Sequence, residues 1–214
     1  LGSAFVLLIG GGVLGAGGGL FNYKEFRVEG YVQKSAPGGQ DSGPLTAPAL
    51  KAFMKNGVKV YSKCNGCHQS NGMGVDGSYP PLAGSEWVTG DTEKLAMIIL
   101  NGLEGPITVK GKTWRNVQME AQGPMSPVEL ASVMTYVRNS FGNATGDVVT
   151  IGMAKAAIDI STERAGGKPI GPKLTEGELK EKHAKMLPGE ALDPEAVVDL
   201  ETFEPVEAAA PSEE

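Results

Sequence analysis

The run Cys64-Asn65-Gly66-Cys67-His68 is the stretch around which the chain is organised. Two thiols separated by two residues, with an imidazole directly after the second, form the C-x-x-C-H pattern of covalent c-type haem attachment. The thiols add across the two haem vinyl groups as thioethers. The adjacent histidine is then held over the ring, where it takes one axial position on the iron. C-x-x-C pairs also serve zinc sites and thioredoxin-like redox couples. This sequence has only two cysteines and two histidines, and the second histidine, His183, lies far downstream in a charged stretch. A four-ligand zinc site therefore lacks ligands, and no βαβ pattern surrounds the cysteines. One haem c, bound through Cys64 and Cys67 with His68 on the iron, is the expected cofactor.

Composition divides the chain. There are 31 Gly and 14 Pro, 6% of residues are aromatic, and the net charge is −6. Residues 47–143 carry nine positive and seven negative side chains (+2), whereas residues 144–214 carry seven positive and fifteen negative (−8). The acidity thus belongs to the C-terminal third. No basic face of the kind nucleic acid requires is present.

Ala4 to Phe21 is an uncharged, largely apolar run of 18 residues. As a helix it would span about 27 Å, close to a bilayer core. Gly11, Gly15 and Gly19 line one face as a doubled G-x-x-x-G, which lets another transmembrane helix approach closely. The absence of a basic segment before it favours an anchor (residues 1–21) over the core of a cleaved signal. Residues 22–48, with Ser35-Ala-Pro-Gly-Gly-Gln-Asp-Ser-Gly-Pro, have linker composition.

Leu50, Phe53, Gly57, Val60 or Tyr61, and Cys64 recur at three- and four-residue steps, predicting an amphipathic helix that delivers the first cysteine. Asp91 or Thr92 starts a second helix through Leu95, Ile98 and Ile99. Gly105 to Met119 reads as loop or short extended structure. Ser126-Pro127-Val128-Glu129 is a capping box with proline at the first helical position, and Leu130, Val133, Met134, Val137 and Phe141 form the apolar face of a last helix. Beyond Asn143 two helical stretches, 148–160 and 175–186, are interrupted by Gly, Pro and acids. Such a segment is expected to be disordered alone and ordered by wrapping a partner.

A sixth iron ligand must come from elsewhere. Methionine is the usual partner of histidine and raises the reduction potential. Met54, Met97 and Met134 fit core positions, and Met73 is too near His68 to reach the opposite face. Met119 and Met125, in the stretch before the last helix, remain.

Residues 47–143 resemble a class I monohaem cytochrome c. The features appear in order: a helix before Cys64, the C-x-x-C-H, Pro80-Pro81-Leu82, a methionine loop, and a final helix with Tyr136. The resemblance implies an all-α module over residues 49–143, three to four helices wrapped on one haem, flanked by the anchor and by an extended, partly helical extension, 144–214. It also implies Met119 as the sixth ligand, 17 residues before Tyr136, although Glu120 stands where the family usually has proline. Pro80 would offer its carbonyl to His68, and Leu82 would pack on the ring. Gly57 and Tyr61 would meet Tyr136, and the indoles of Trp87 and Trp114 would reach the propionates or simply pack.

Tyr79-Pro-Pro-Leu-Ala-Gly-Ser-Glu-Trp-Val and Thr135-Tyr-Val-Arg-Asn-Ser-Phe-Gly-Asn are similar to the cytochrome c subunits of alternative complex III and haem-copper oxidase assemblies. The expected role is single-electron transfer at the periplasmic side of a bacterial inner membrane. Membrane subunits of a respiratory complex would be held through Gly11, Gly15, Gly19 and the extension, and a cytochrome or oxidase would be the redox partner. The expected chain is not itself an enzyme. Two alternatives are a cytochrome subunit of a periplasmic dehydrogenase and a haem enzyme or gas sensor with an open distal site.

Overall fold

The computed structural model describes residues 45–206. The glycine-lined run 4–21, and with it Gly11, Gly15 and Gly19, lies outside them. No helix among the described residues is long and apolar enough to cross a membrane.

Two helices form the frame. Helix α1 spans Ala49–Tyr61 and buries Phe53, Gly57, Val60 and Tyr61 of the predicted stripe, with Ala49 and Ala52 beside them, while Leu50 is half-buried. Four short elements follow: α2 (Asn65–His68), α3 (Glu86–Thr89), α4 (Thr92–Asn101) and a β-hairpin. Helix α5, Pro127–Arg138, opens with the predicted capping box, in which Ser126 accepts from the Glu129 amide and the Glu129 carboxylate accepts from the Ser126 amide. It crosses α1 at Gly57, where the absent side chain lets the Ser132 backbone and the Tyr136 Cβ come into contact. Phe53, Leu130 and Met134 are fully buried at this crossing, each contributing about 1.5–3 kcal/mol of apolar burial. Tyr61, Tyr136 and Phe141 close its end with ring centroids 5.1–5.6 Å apart.

The module is not all-α. Residues read as loop or short extended structure form an antiparallel hairpin, β2 (Leu103–Val109) with β3 (Lys112–Met119), paired from Leu103↔Met119 to Val109↔Lys112. Its turn places both Lys110 (φ 51°) and Gly111 (φ 75°) in the left-handed region, as a two-residue hairpin turn of the twist-matched type requires. The reason it escaped the periodicity is a bulge. Gly105 faces Val117 while Ile107 faces Trp114, so β3 carries one extra residue opposite Pro106. Pro106 has no amide to donate, and a bulge is where a strand tolerates that. The extra residue puts Trp114 and Val117, three apart, on one buried face, and strict alternation is lost.

The extension also departs from expectation, because it lies on its own module. Helix α6 (Ile151–Arg164) packs Ala154, Ala157 and Ser161 against α4 and α5, and the Asn101 side chain donates to Ser161 Oγ at 2.9 Å. Helix α7 (Glu176–Lys182) drives Leu179, with Leu174 before it, into the hairpin core beside Trp87, Ile107 and Trp114. Strand β4 (Val197–Asp199) pairs with β1 (Thr46–Pro48). The start of α1 has no side-chain cap. Its Ala49 and Leu50 amides donate instead to the carbonyls of Ala196 and Pro194, at 2.8 and 2.9 Å, which satisfies donors every helix start leaves open. The acidic composition concealed this because the anchors are single apolar residues, Leu174, Leu179, Leu187 and Val198, separated by long polar intervals.

Candidate haem site

The end of α1 passes directly into the attachment motif. The Cys64 amide donates to the Tyr61 carbonyl at 2.8 Å, and the His68 amide donates to Cys64 at 3.0 Å. The four-residue helix α2 thus fixes both sulfurs and the imidazole along one turn. Cys64 is half-buried and Cys67 exposed. Burial pushes the Cys64 thiol up, opposed by Lys63. Tyr61 Oη donates to the Gln69 carbonyl at 2.7 Å and ties the segment after the motif back to α1. Two glycines shape the return. Gly72 (φ 67°) accepts from the amides of Leu82 and Ala83, and Gly74 (φ 66°) donates to the His68 carbonyl.

Cys64, Cys67, His68, Pro80, Leu82, Trp87 and Met119 come together on one cavity of about 340 Å³. Ile98 and Ile99 of α4, Leu103, Ile107, Val109 and Val117 of the hairpin, and Val133 and Val137 of α5 complete an apolar lining. The hairpin missed in the sequence is therefore one whole wall. Met125 lines the same cavity, so both methionines the sequence left open are present. His183 does not. It is buried elsewhere, against Glu93.

Burial lowers the basicity of His68, and the Pro80 backbone opposes it. The net direction keeps the imidazole neutral, the form that binds a metal. Its Nδ1 is buried without a partner in good hydrogen-bond geometry, with the Pro80 backbone near it. Trp87 Nε1 donates to the Thr108 carbonyl at 2.7 Å. Its N–H is committed to the hairpin, so Trp87 serves the cavity as a wall. Trp114 does not line the cavity. It sits under the hairpin with the Lys112 ammonium 4.5 Å over its ring, and its Nε1 is buried without an acceptor.

Two residues that sequence reasoning passed over position this site. Asn143, placed at the module's edge, donates to the carbonyls of Leu82 (3.1 Å) and Val137 (2.8 Å) and accepts from the Gly84 amide (2.7 Å). Arg138 is buried and donates to the carbonyls of Val88 and Gly90 at 2.8 and 2.9 Å, with Asp147 on its other edge. A polar residue just past a helix end carries no periodic signal. A second, more open hollow of about 490 Å³, lined by Lys94, Lys180 and Arg138, shares the Trp87 wall but holds none of the motif residues.

An apolar cavity with two thiols at one edge and an imidazole and two thioethers along its walls has the donor set for a covalently held, six-coordinate haem. The sequence model of the family Cytochrome c matches residues 54–141. Cytochrome c-552 of Thermus thermophilus is 39% identical over 104 residues, 47% of this chain and 70% of that protein. The chain belongs to the cytochrome c family. This cytochrome c accordingly binds haem c covalently, through Cys64 and Cys67, and transfers electrons. It is also 33% identical over 136 residues to the cytochrome c subunit of the quinone alcohol dehydrogenase of Gluconobacter oxydans, 62% of this chain but 27% of that protein. The fructose dehydrogenase cytochrome subunit of Gluconobacter japonicus is 34% identical over 127 residues, 54% of this chain and 23% of that subunit. Those relatives are cytochrome subunits of dehydrogenases, and the matched part spans about a quarter of each.

Proposed function

We propose that this cytochrome c is the electron-transferring subunit of a larger oxidoreductase, with a dehydrogenase subunit as its electron donor and a cytochrome or oxidase as its acceptor. The carrying observation is the reach of the likeness to the alcohol dehydrogenase subunit. Its 136 aligned residues exceed the 54–141 stretch of the family match, so the resemblance extends beyond the haem module alone. This favours the dehydrogenase over the respiratory complex expected from the sequence. A respiratory assembly such as alternative complex III is the second reading, supported by the four-residue spacing of Gly11, Gly15 and Gly19 in an uncharged run. In either case we place residues 1–21 in a bacterial inner membrane and the haem module on the periplasmic side.

When bound, haem c supplies one reversible redox equivalent. The chain's residues do the rest. His68 would hold the iron from the attachment side and Met119 from the hairpin wall, and with both bound no site would remain for a gas or substrate. Pro80 orients His68, Leu82 covers the ring, and the apolar lining excludes water.

Two experiments test this. Mild detergent purification followed by identification of the co-purifying subunits separates the two assemblies: a sugar or alcohol dehydrogenase supports the first reading, and multi-helix quinol-oxidising or oxidase subunits the second. In the oxidised spectrum, the sulfur-to-iron band near the red end should vanish in Met119→Ala and persist in Met125→Ala. Its survival in Met119→Ala would move the ligand to Met125, and carbon monoxide binding to the reduced native protein without ligand displacement would restore the open-site alternative.

A further inference from the structure

Glu93 and His183 are both buried, 1% and 5% exposed, and neither lines the haem cavity. His183 Nδ1 stands 2.8 Å from Glu93 Oε1. The pair is anchored from both sides. The Glu93 amide donates to the Lys185 carbonyl at 3.2 Å, and the Leu187 amide donates to Thr92 Oγ1 at 2.8 Å, so the segment 183–187 is laced across the first turn of α4. Yet the pair is incomplete. His183 Nε2 and Glu93 Oε2 are both buried without a hydrogen-bond partner, and Lys185 Nζ stays 3.6 Å from Oε2. A pair retained for stability alone is normally saturated, because each orphaned buried polar atom carries a cost.

Its position links it to the electron. Glu93 sits in the first turn of α4, and Leu95, Ile98 and Ile99 of the same helix line the haem cavity. Ile98, five residues on, is about 7.5 Å further along the helix axis. At an effective dielectric near 20, charges roughly 10 Å apart change each other's proton affinity by about tenfold. We propose that Glu93 and His183 form a redox-linked protonation site, which takes up a proton from solvent when the haem is reduced and releases it on oxidation. The electron arrives from the donor protein and the proton from water, and with a tenfold coupling the uptake peaks at about half a proton per electron, which offsets part of the added charge. Nε2 of His183 is the atom free to accept the proton, since Nδ1 already faces the carboxylate.

The surrounding charges leave room for a variable proton. From α4, Asp91 and Lys94 pair with each other at 2.7 Å. From α7, Glu178 is bound by Arg164 of α6 and neighboured by Lys182, while Glu176 pairs with Lys180. Lys185 faces Glu93 from the following segment. These partners neutralise one another. The Glu178 carboxyl is held low by Arg164 and, further down the scale, by Lys182 and His183 itself, which places the imidazole within its electrostatic reach.

The reduction potential of the intact holoprotein, titrated spectroelectrochemically between pH 5 and 8, is the first readout. A one-electron, one-proton couple changes tenfold per pH unit, a slope of 59 mV. With a tenfold coupling the native protein should reach about half that slope over part of the range, a total shift of about 59 mV, and Glu93→Gln and His183→Asn should each flatten it while the haem spectrum stays unchanged. Haem propionates contribute equally to all three proteins, so the difference between them is the measure. Should either variant fail to fold, NMR titration of the His183 imidazole in the native protein decides, with a higher pKa expected in the reduced state. Identical slopes in folded variants, or the same His183 pKa in both redox states, would overturn the proposal. The test is independent of which partner supplies the electron.

Discussion

The Asn143 amide donates to the Leu82 carbonyl at 3.1 Å, across 61 residues, while its own carbonyl accepts from Gly84 at 2.7 Å. One side chain just beyond α5 thus clamps both sides of the turn that sets Leu82 in the cavity wall. All three partners are backbone groups, and Asn143 is 6% exposed. Asn143→Ala orphans a buried amide and two carbonyls, each costing about 1–3 kcal/mol when left unpaired. The holoprotein should lose roughly 3 kcal/mol in guanidinium denaturation, and the Met-to-iron band should broaden as the wall loosens. A loss under about 0.5 kcal/mol would show that water replaces the clamp.

The frame of the fold was legible where periodicity and capping agree. Helix α1 runs from Ala49 to Tyr61 with Phe53, Gly57, Val60 and Tyr61 of the predicted stripe buried, and the Ser126–Glu129 capping box forms as read. Cys64, Cys67 and His68 were legible because their spacing is dictated by chemistry. The hairpin was not, since a one-residue bulge opposite Pro106 breaks the two-residue alternation of Trp114 and Val117. The extension was not, since Leu174 and Leu179 are isolated anchors whose burial depends on a hairpin that was itself unseen. Asn143, Arg138 and His183 act through side-chain polar contacts to partners distant in sequence, which leave no mark on a sequence pattern.

Gly57 marks the closest approach of the first and last helices of the module. A methyl group added there would stand 2.5 Å from the Tyr136 Cβ and run into the Ser132 carbonyl oxygen. Alanine is intrinsically the better helix former by about 1 kcal/mol, yet overpacking at a rigid crossing costs typically 1–3 kcal/mol or more. Because the obstacle is backbone, the second effect should win. Gly57→Ala should lower the thermal midpoint of the holoprotein and weaken the Tyr61–Tyr136 contact, visible as a shift in near-ultraviolet dichroism. A higher midpoint would mean that the helices slide apart at no cost.

Leu179 is fully buried in the hairpin core, and α7 reaches that core only through the extension. Leu179→Ala should cost about 2–5 kcal/mol, the range for a buried leucine truncated without collapse of its surroundings. Loss should appear in a single transition shared with the haem spectrum, because the hairpin that α7 packs against is also a wall of the cavity. Truncation after Asn143 should be harsher still, exposing the Trp87 and Ile107 face to water. An early transition of the extension alone, with the haem absorption unaffected, would instead separate it from the module as an independent layer.

Asp147 gives the extension a sign in acid. Burial pushes its carboxyl up, but Arg138 and Thr145 together outweigh that and hold it below the ordinary range. Arg138 Nε and Nη2 meet its two oxygens at 3.1 and 2.6 Å. A carboxyl whose pKa is lower in the folded than in the unfolded state binds fewer protons when folded. Its stabilisation is therefore complete above the unfolded pKa, near pH 4, and drains away as pH falls through the folded value. Asp147→Asn removes that dependence. At pH 7 the variant should be about 2 kcal/mol less stable, short of the full cost of breaking a buried pair because Asp147 is 38% exposed and Arg138 keeps its two carbonyls. Between pH 4 and pH 2 the gap between native and variant proteins should close. Equilibrium denaturation at stepped pH measures it, and a gap that widens with acid would mean that the fold raises the Asp147 carboxyl instead of lowering it.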